Sequence, residues 1–202
     1  MSVPRHLVIF AKAPRLGRVK SRLARDIGLV AAWAFYRRTL ASVLRRLGGG
    51  GRWQAWVAVT PDAWVAHQAL WPAEWTIIPQ GQGGLGERMD RAMRLLPPGP
   101  VVIVGTDVPG LRRRHVEAAF AALGRHDAVF GPASDGGYWL VGLRRRPRVV
   151  RLFGNVRWSS EHALADTLAN LGPSQTAARL DMLEDVDDGA ALARWLKGGD
   201  RR

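Results

Sequence analysis

One aspartate closes the most apolar strand-like run of the chain, VVIVGTD at 101–107. A carboxylate at the C-terminal end of a buried parallel strand lies at the edge where open α/β sheets bind ligands. The VPGL turn that follows restrains the backbone at Pro109 and lets Asp107 project. A hard oxygen ligand there suits Mg2+ or Mn2+, which hold phosphate substrates through one or two carboxylates and water. LEDVDD at 183–188 offers Asp185 and Asp187, two apart on an extended segment and so on one face. Taken alone, Asp107 also fits a cap on the next helix, and the acidic hexad fits a turn with a helix cap.

Positive charge gathers at the other end of the chain, where Lys12, Arg15, Arg18, Lys20 and Arg22 follow the apolar run 7–10, spaced by Pro14 and Gly17. In GPASDGGYWLVGL (131–143), Gly136 and Gly137 allow a tight turn or close approach to a ligand. Ser134 and Asp135 supply polar groups there, and Tyr138 or Trp139 could cover a sugar or a base; a β-hairpin with polar turn residues fits equally well. Two apparent motifs fail on inspection. GQGGLG (81–86) satisfies G-x-G-x-x-G, but it follows the third strand, and Asp107 leads into VPGL, which does not suit a ribose clasp. GRVKS (17–21) resembles the end of a P-loop but has Val19 where glycine must precede the lysine. There is no G-x-S-x-G elbow, and no histidine pair has i,i+4 metal spacing, so hydrolase-triad and zincin chemistry lack support.

The elements that must position these groups alternate. Residues 26–47 carry apolar side chains at helical spacing and predict one helix, stopped by the glycines of 48–51. WQAWVAVT (53–60) and WTIIPQ (75–80) predict strands, with a short proline-started helix between them. LGERMDRAMRLL predicts the next helix, and a further one spans 112–123. The runs 127–133 and 138–143 predict two strands around a Gly-Gly turn. SSEHALADTLANL predicts a helix capped by Ser159 or Ser160, followed by a strand near 179–186 and a last helix, GAALARWLK. Alternation of this kind predicts a single α/β domain of three layers around a mostly parallel sheet, with the late strand pair making a mixed edge. The domain is expected over 1–197, with 198–202 a frayed tail.

Composition narrows the classes. A chain of 202 residues suits one well-buried domain. It has no cysteine, which excludes a disulfide framework, a thiolate nucleophile and Cys-based zinc, and is compatible with a reducing cytoplasm. No stretch approaches the roughly 18 apolar residues of a membrane span, and Lys12 interrupts an N-terminal run already too short for a signal peptide. A soluble cytoplasmic protein without a membrane partner is expected. The formal net charge of +13 is spread along the chain, with RRR at both 112–114 and 144–146, and the lysines are confined to Lys12, Lys20 and Lys197. No zinc finger, helix-turn-helix or aromatic-interleaved RNA motif accompanies it, so a basic solvated surface plus one anion site is expected rather than a specific nucleic-acid partner. Most of the tryptophans are expected in the core, with Trp64 and Trp71 the candidates for exposure.

In chain order, FAKAPRLGRVKSRL, QGQGGLGERM, GTDVPGL, GPASDGGYWLVGL, LFGNVRWS and LEDVDD resemble the DUF2064 family of the nucleotide-diphospho-sugar transferase superfamily. The resemblance covers nearly the whole chain and extends, more distantly, to molybdenum cofactor and 2-phospholactate guanylyltransferases. It implies a GT-A-like (Rossmann-like) fold whose first loop binds nucleotide phosphates, with Lys12, Lys20 and Arg22 neutralising them and Gly17 passing close by. It further implies that the turn carrying Gln80, Gly86 and Arg88 faces base and ribose, and that Asp107 is a metal carboxylate. Asp185 and Asp187 resemble a second metal-binding strand, and Asp135, Gly136, Gly137 and Tyr138 would line the acceptor or sugar side. One position departs: the family writes Asp before the Leu of a GDLGERM-like turn, and this chain has Gly84, leaving Glu87 as a candidate substitute.

The activity expected on this basis is glycosyl transfer from a nucleotide-activated sugar to a small-molecule acceptor, with Mg2+ or Mn2+ as cofactor. Lys20 would share the charge of the departing nucleotide diphosphate, and Asp135 would act as base toward an acceptor hydroxyl. Nucleotidyl transfer from a nucleoside triphosphate to a phosphorylated small molecule is the close rival. A non-catalytic nucleotide- or polyanion-binding protein is the rival of a different class.

Overall fold

Alternation along the parallel strands sends side chains into two separate cores. The computed structural model describes residues 3–48, 50, 52–146 and 149–198. Strand β1 (His6–Lys12) places Leu7, Ile9 and Ala11 on one face and Val8 on the other. Strand β2 (Gln54–Thr60) divides Val57 and Val59 from Ala58 in the same way, and β4 (Val101–Val104) divides Val102 and Val104 from Val101 and Ile103. Helices α2 (Leu29–Leu47) and α4 (Arg113–Ala122) cover the first face, through Tyr36, Leu40, Val43, Val116 and Phe120. Helices α3 (Leu85–Leu95) and α5 (Ala163–Ala169) cover the second, through Met89, Met93, Leu164 and Leu168. This two-sided burial gives the three-layer α/β architecture that the alternation predicts.

The sheet has seven strands in the order β3-β2-β1-β4-β6-β5-β7, where β3 is Thr76–Pro79, β5 Ala128–Pro132, β6 Tyr138–Leu143 and β7 Ala177–Arg179. All pairings are parallel except those of β6, which runs antiparallel to both β4 and β5. The reversed strand therefore lies inside the sheet rather than at its rim, and the outer strand β7 is parallel to β5. Gly142 of β6 suits this interior place, since a Cβ there would stand 2.8 Å from Val129 Cγ1 and 3.0 Å from Val102 Cγ2.

Other elements depart from the sequence-based expectation for local reasons. The helix expected over 26–47 is two, α1 (Ser21–Ile27) and α2, because Gly28 adopts φ 86° and carries the chain out of helical geometry. The proline-started helix is a pair of 3-10 turns, Asp62–Ala66 and Gln68–Leu70. α5 begins only at Ala163, because Ser159 has φ 58° and the Ser160 hydroxyl donates to Arg157 O. The last strand is only three residues long, and beyond it a single bridge joins Ala133 to Leu183 as the chain leaves the sheet. Helix α6 (Gly189–Gly198) ends the described chain; the rest of the expected tail lies outside the described residues. Trp71 is buried, and Trp64 is half-buried with its ring stacked on His67. Among the described residues no helix is long and apolar enough to cross a membrane.

Candidate active site

Strands β1 to β4 run parallel and finish at one edge, where Lys12 is level with Thr60 and Val59 with Pro79. From β1 the chain builds outward through β2 and β3, then returns to lay β4 on the other side of β1. Such a switch point leaves a crevice beyond the strand ends. A cavity of about 580 Å3 opens there, within the range of small-molecule sites.

At its centre lies a charge triad assembled from three distant segments. Lys20 Nζ stands 2.6 Å from Asp107 Oδ1 and 2.7 Å from Asp187 Oδ1. The Lys20 side chain is only 4% exposed, whereas the two carboxylates are about half exposed, at 49% and 43%. Burial pulls the ammonium toward neutrality, but Asp107 and Asp187 outweigh it, so Lys20 holds its proton more tightly than an ordinary lysine. Its backbone is left-handed (φ 51°, ψ 47°), a conformation that costs a β-carbon residue on the order of 1 kcal/mol.

The backbone explains why these groups meet. The fully buried Val186 donates its N–H to Asp107 O at 3.0 Å, which brings Asp187 beside Asp107. The rest of the acidic hexad has other work: Asp188 Oδ1 accepts from Ala191 N at the start of α6, and Glu184 pairs with Arg194 at 2.5 Å. The helix-cap reading of that segment is therefore true of Asp188, while Asp187 turns to the cavity. Asp185 is half-buried; burial, then the nearby Asp187 and Asp135, push its carboxyl above the usual carboxylate range.

Of the residues expected at the site, Lys12, Lys20, Arg22, Gln80, Arg88, Asp107, Tyr138 and Asp187 line the cavity. Among the described residues, the side chains of Lys12 and Arg22 are exposed and make no hydrogen bond or ion pair, so they are available to an anion. Gln80 is 6% exposed and donates Nε2 to Ala11 O and Ala58 O, so it clamps β1 to β2. Arg88 Nε donates to Gly83 O, and Arg91 donates to Gln80 O and Gln82 O, which fixes the turn above β3.

Other expected residues stand outside the lining. Gly17 is an exposed turn residue at φ 72°. Gly86 serves packing: a Cβ there would lie 2.8 Å from Trp158 Cζ2 and 2.9 Å from Phe153 O. Gly136 (φ 82°) lies against the backbone of Glu161, and Asp135 Oδ1 accepts from Gly137 N at 2.9 Å in a local turn. Glu87 bends back to accept from Gly84 N at 2.7 Å, so its carboxylate caps α3.

Sequence reasoning missed Tyr36 and Thr106, which also line the cavity. The Tyr36 hydroxyl accepts from Lys12 N, donates to Lys12 O at 2.7 Å, and lies 3.4 Å from Thr106 Oγ1. It thereby pins the end of β1 at the start of the basic loop. Its signal in the sequence was faint, a phenol on the core-facing stripe of α2 among Ala32, Leu40 and Val43.

A divalent cation fits this donor set. Asp107 and Asp187 are hard, half-exposed oxygen donors, and they already converge on a cation, the Lys20 ammonium. Among the described residues no group of three or more carboxylate or imidazole side chains converges on one point, so protein ligands would supply only part of the shell.

Fold and cavity together define a GT-A-like α/β domain with a charged crevice at its switch point. The chain belongs to the family described as "Uncharacterized protein conserved in bacteria (DUF2064)", whose profile matches residues 43–160. A protein of Desulfovibrio desulfuricans G20, provisionally assigned as a nucleotide-diphospho-sugar transferase, is similar at 26% identity and a TM-score of 0.89, over 98% of this chain and 88% of that one. The 4-diphosphocytidyl-2C-methyl-D-erythritol synthase of Anaerococcus prevotii shares the fold at 9% identity and a TM-score of 0.60, over 96% and 98% of the two chains. Glucosyl-3-phosphoglycerate synthase of Mycobacterium tuberculosis, solved with Mn2+, UDP and glucosyl-3-phosphoglycerate, does so at 12% identity and a TM-score of 0.56, over 96% and 76%. No curated protein matches the chain.

Proposed function

We propose that this protein is a metal-dependent transferase that uses a nucleotide-activated sugar. The observation that carries the reading is the convergence of Asp107 and Asp187 on one cation position inside a switch-point cavity bordered by Lys12 and Arg22, cations without a side-chain partner among the described residues. Asp107 and Asp187 would hold Mg2+ or Mn2+, which supplies charge neutralisation for a departing nucleotide diphosphate. Lys12 and Arg22 would bind the phosphates and so take up negative charge as it develops on the leaving group. Gln80, with both N–H bonds spent on backbone carbonyls, offers a ligand only its carbonyl oxygen, an acceptor for a base N–H. Tyr138, which lines the cavity, would lie on the sugar side. Asp135 lies outside the cavity lining, near Asp185 and with Oδ1 held in a local turn, so it would take no part in proton transfer.

The similarity to the Desulfovibrio protein supports a sugar nucleotide as donor. Nucleotidyl transfer is the second reading, favoured by the dense positive charge of the first loop, which suits a triphosphate. The two reactions differ in product. Purified protein with Mn2+ is expected to release a nucleoside diphosphate from one of a panel of nucleotide sugars given mixed small-molecule acceptors. Release of pyrophosphate from a nucleoside triphosphate would replace the first reading with the second.

A further inference from the structure

We propose that Lys20 is an exchangeable counter-ion that makes a divalent cation and an anionic phosphate group bind as a coupled pair. The proposal rests on the reading above that Asp107 and Asp187 take a divalent cation. Lys20 Nζ contacts Oδ1 of both carboxylates, at 2.6 and 2.7 Å, so the ammonium and a metal ion claim the same oxygens. The stem is flexible and lines the cavity, so the head can leave those oxygens without moving the fold.

Where the ammonium goes decides the coupling. A metal ion arriving alone releases Lys20 into a pocket where its side chain is 4% exposed, and an unpaired ammonium is costly there. A phosphate arriving alone meets a lysine already committed to two carboxylates, and among the described cavity-lining residues it finds Lys12 and Arg22 unspent. When both arrive, the metal takes the carboxylates and the phosphate takes Lys20, so each ligand supplies the partner that the other displaces. By linkage, each must raise the affinity of the other by the same factor. The site would then discriminate against bare metal and against metal-free nucleotide, which spares the protein from unproductive occupancy.

The test is Mn2+ binding, followed by the loss of the free-ion paramagnetic resonance signal, with inorganic pyrophosphate as the phosphate probe. Lys20→Met is expected to bind Mn2+ alone about tenfold or more tighter than the wild-type protein, and to lose most of the cooperation with pyrophosphate. Mn2+ affinity in Lys20→Met equal to or below that of the wild type overturns the exchange while leaving the metal reading in place. No Mn2+ binding in either protein, with or without pyrophosphate, overturns the metal reading and the exchange with it. A second measurement uses the wild type alone, so it does not depend on the variant folding. Acetylation of Lys20, read by mass spectrometry against the exposed Lys197, is expected to be slow without metal, faster in saturating Mn2+, and slow again once pyrophosphate is added. Equal labelling in all three states overturns the exchange.

Discussion

Lys20 shows how one residue can be strained, buried and charged at once when its surroundings compensate each cost. The left-handed backbone and the desolvated ammonium are both unfavourable, and two carboxylates at hydrogen-bond distance offset them. None of this was legible locally, because Lys20 and Asp187 lie 167 positions apart. The residue types were legible: the sequence marks Lys20, Asp107 and Asp187 as charged groups near strand ends, but not that they touch. His6 is the opposite case, a histidine with a purely structural place. It is fully buried; Trp56 Nε1 donates to its Nδ1, which leaves Nε2–H to donate toward Pro98 O. Burial, with a smaller contribution from Arg145, holds its pKa below 6.5 despite the Pro98 bond. The unfolded chain therefore binds a proton that the folded protein refuses, and stability falls as pH drops through 6.5. Thermal melts of the wild type are expected to decline from pH 7 to pH 5, and His6→Gln should flatten that decline. An unchanged slope in the variant would remove His6 as a source of the acid sensitivity.

At the scale of elements, strand positions were legible from apolar runs, while direction and order were not. VVIVGTD and YWLVGL read equally well as buried strands, yet they pair antiparallel, because the turn at 133–137 reverses the chain and slots β6 between β4 and β5. The α1–α2 break was open to prediction at Gly28, since glycine is the residue that leaves a helix at positive φ. The turn into α3 bears on Gly84, the position where the resemblance implies an aspartate. Gly84 has an extended backbone (φ −71°, ψ 173°), and a Cβ there would meet nothing closer than Glu87 Oε2 at 3.7 Å. It is also the N-cap of α3, where aspartate is preferred over glycine by a few tenths of a kcal/mol. Gly84→Asp is thus expected to leave the melting temperature within about 2 °C of the wild type or to raise it. Because Gly84 lines the cavity, the added carboxylate should also change Mn2+-dependent nucleotide affinity. A markedly destabilised variant would contradict the turn geometry, and a stable variant with unchanged affinity would make the departure irrelevant to the site.

At the scale of the whole molecule, the parts serve one edge of the sheet. β1 delivers Lys12, its following loop delivers Lys20, β4 delivers Asp107, and the segment before α6 returns across the fold to deliver Asp187. The net charge of +13 makes non-specific attraction of polyanions a competing account of any nucleotide binding. The two accounts separate on metal dependence, since charge attraction weakens with salt and needs no divalent ion. A ligand that binds only the folded state at a hundred times its Kd stabilises it by about 2.7 kcal/mol, or roughly 5–10 °C for a domain of this size. The measurement that tests the central claim most directly is therefore the melting temperature with nucleotide sugars, diphosphates and triphosphates, with and without Mn2+, in the wild type and in Asp107→Asn. The account predicts a shift of that order for one nucleotide class, present only with Mn2+ and lost in Asp107→Asn, each protein's shift being taken from its own ligand-free melt, which the loss of a Lys20 partner lowers in the variant. A shift that persists without metal, or that survives Asp107→Asn unchanged, would contradict it.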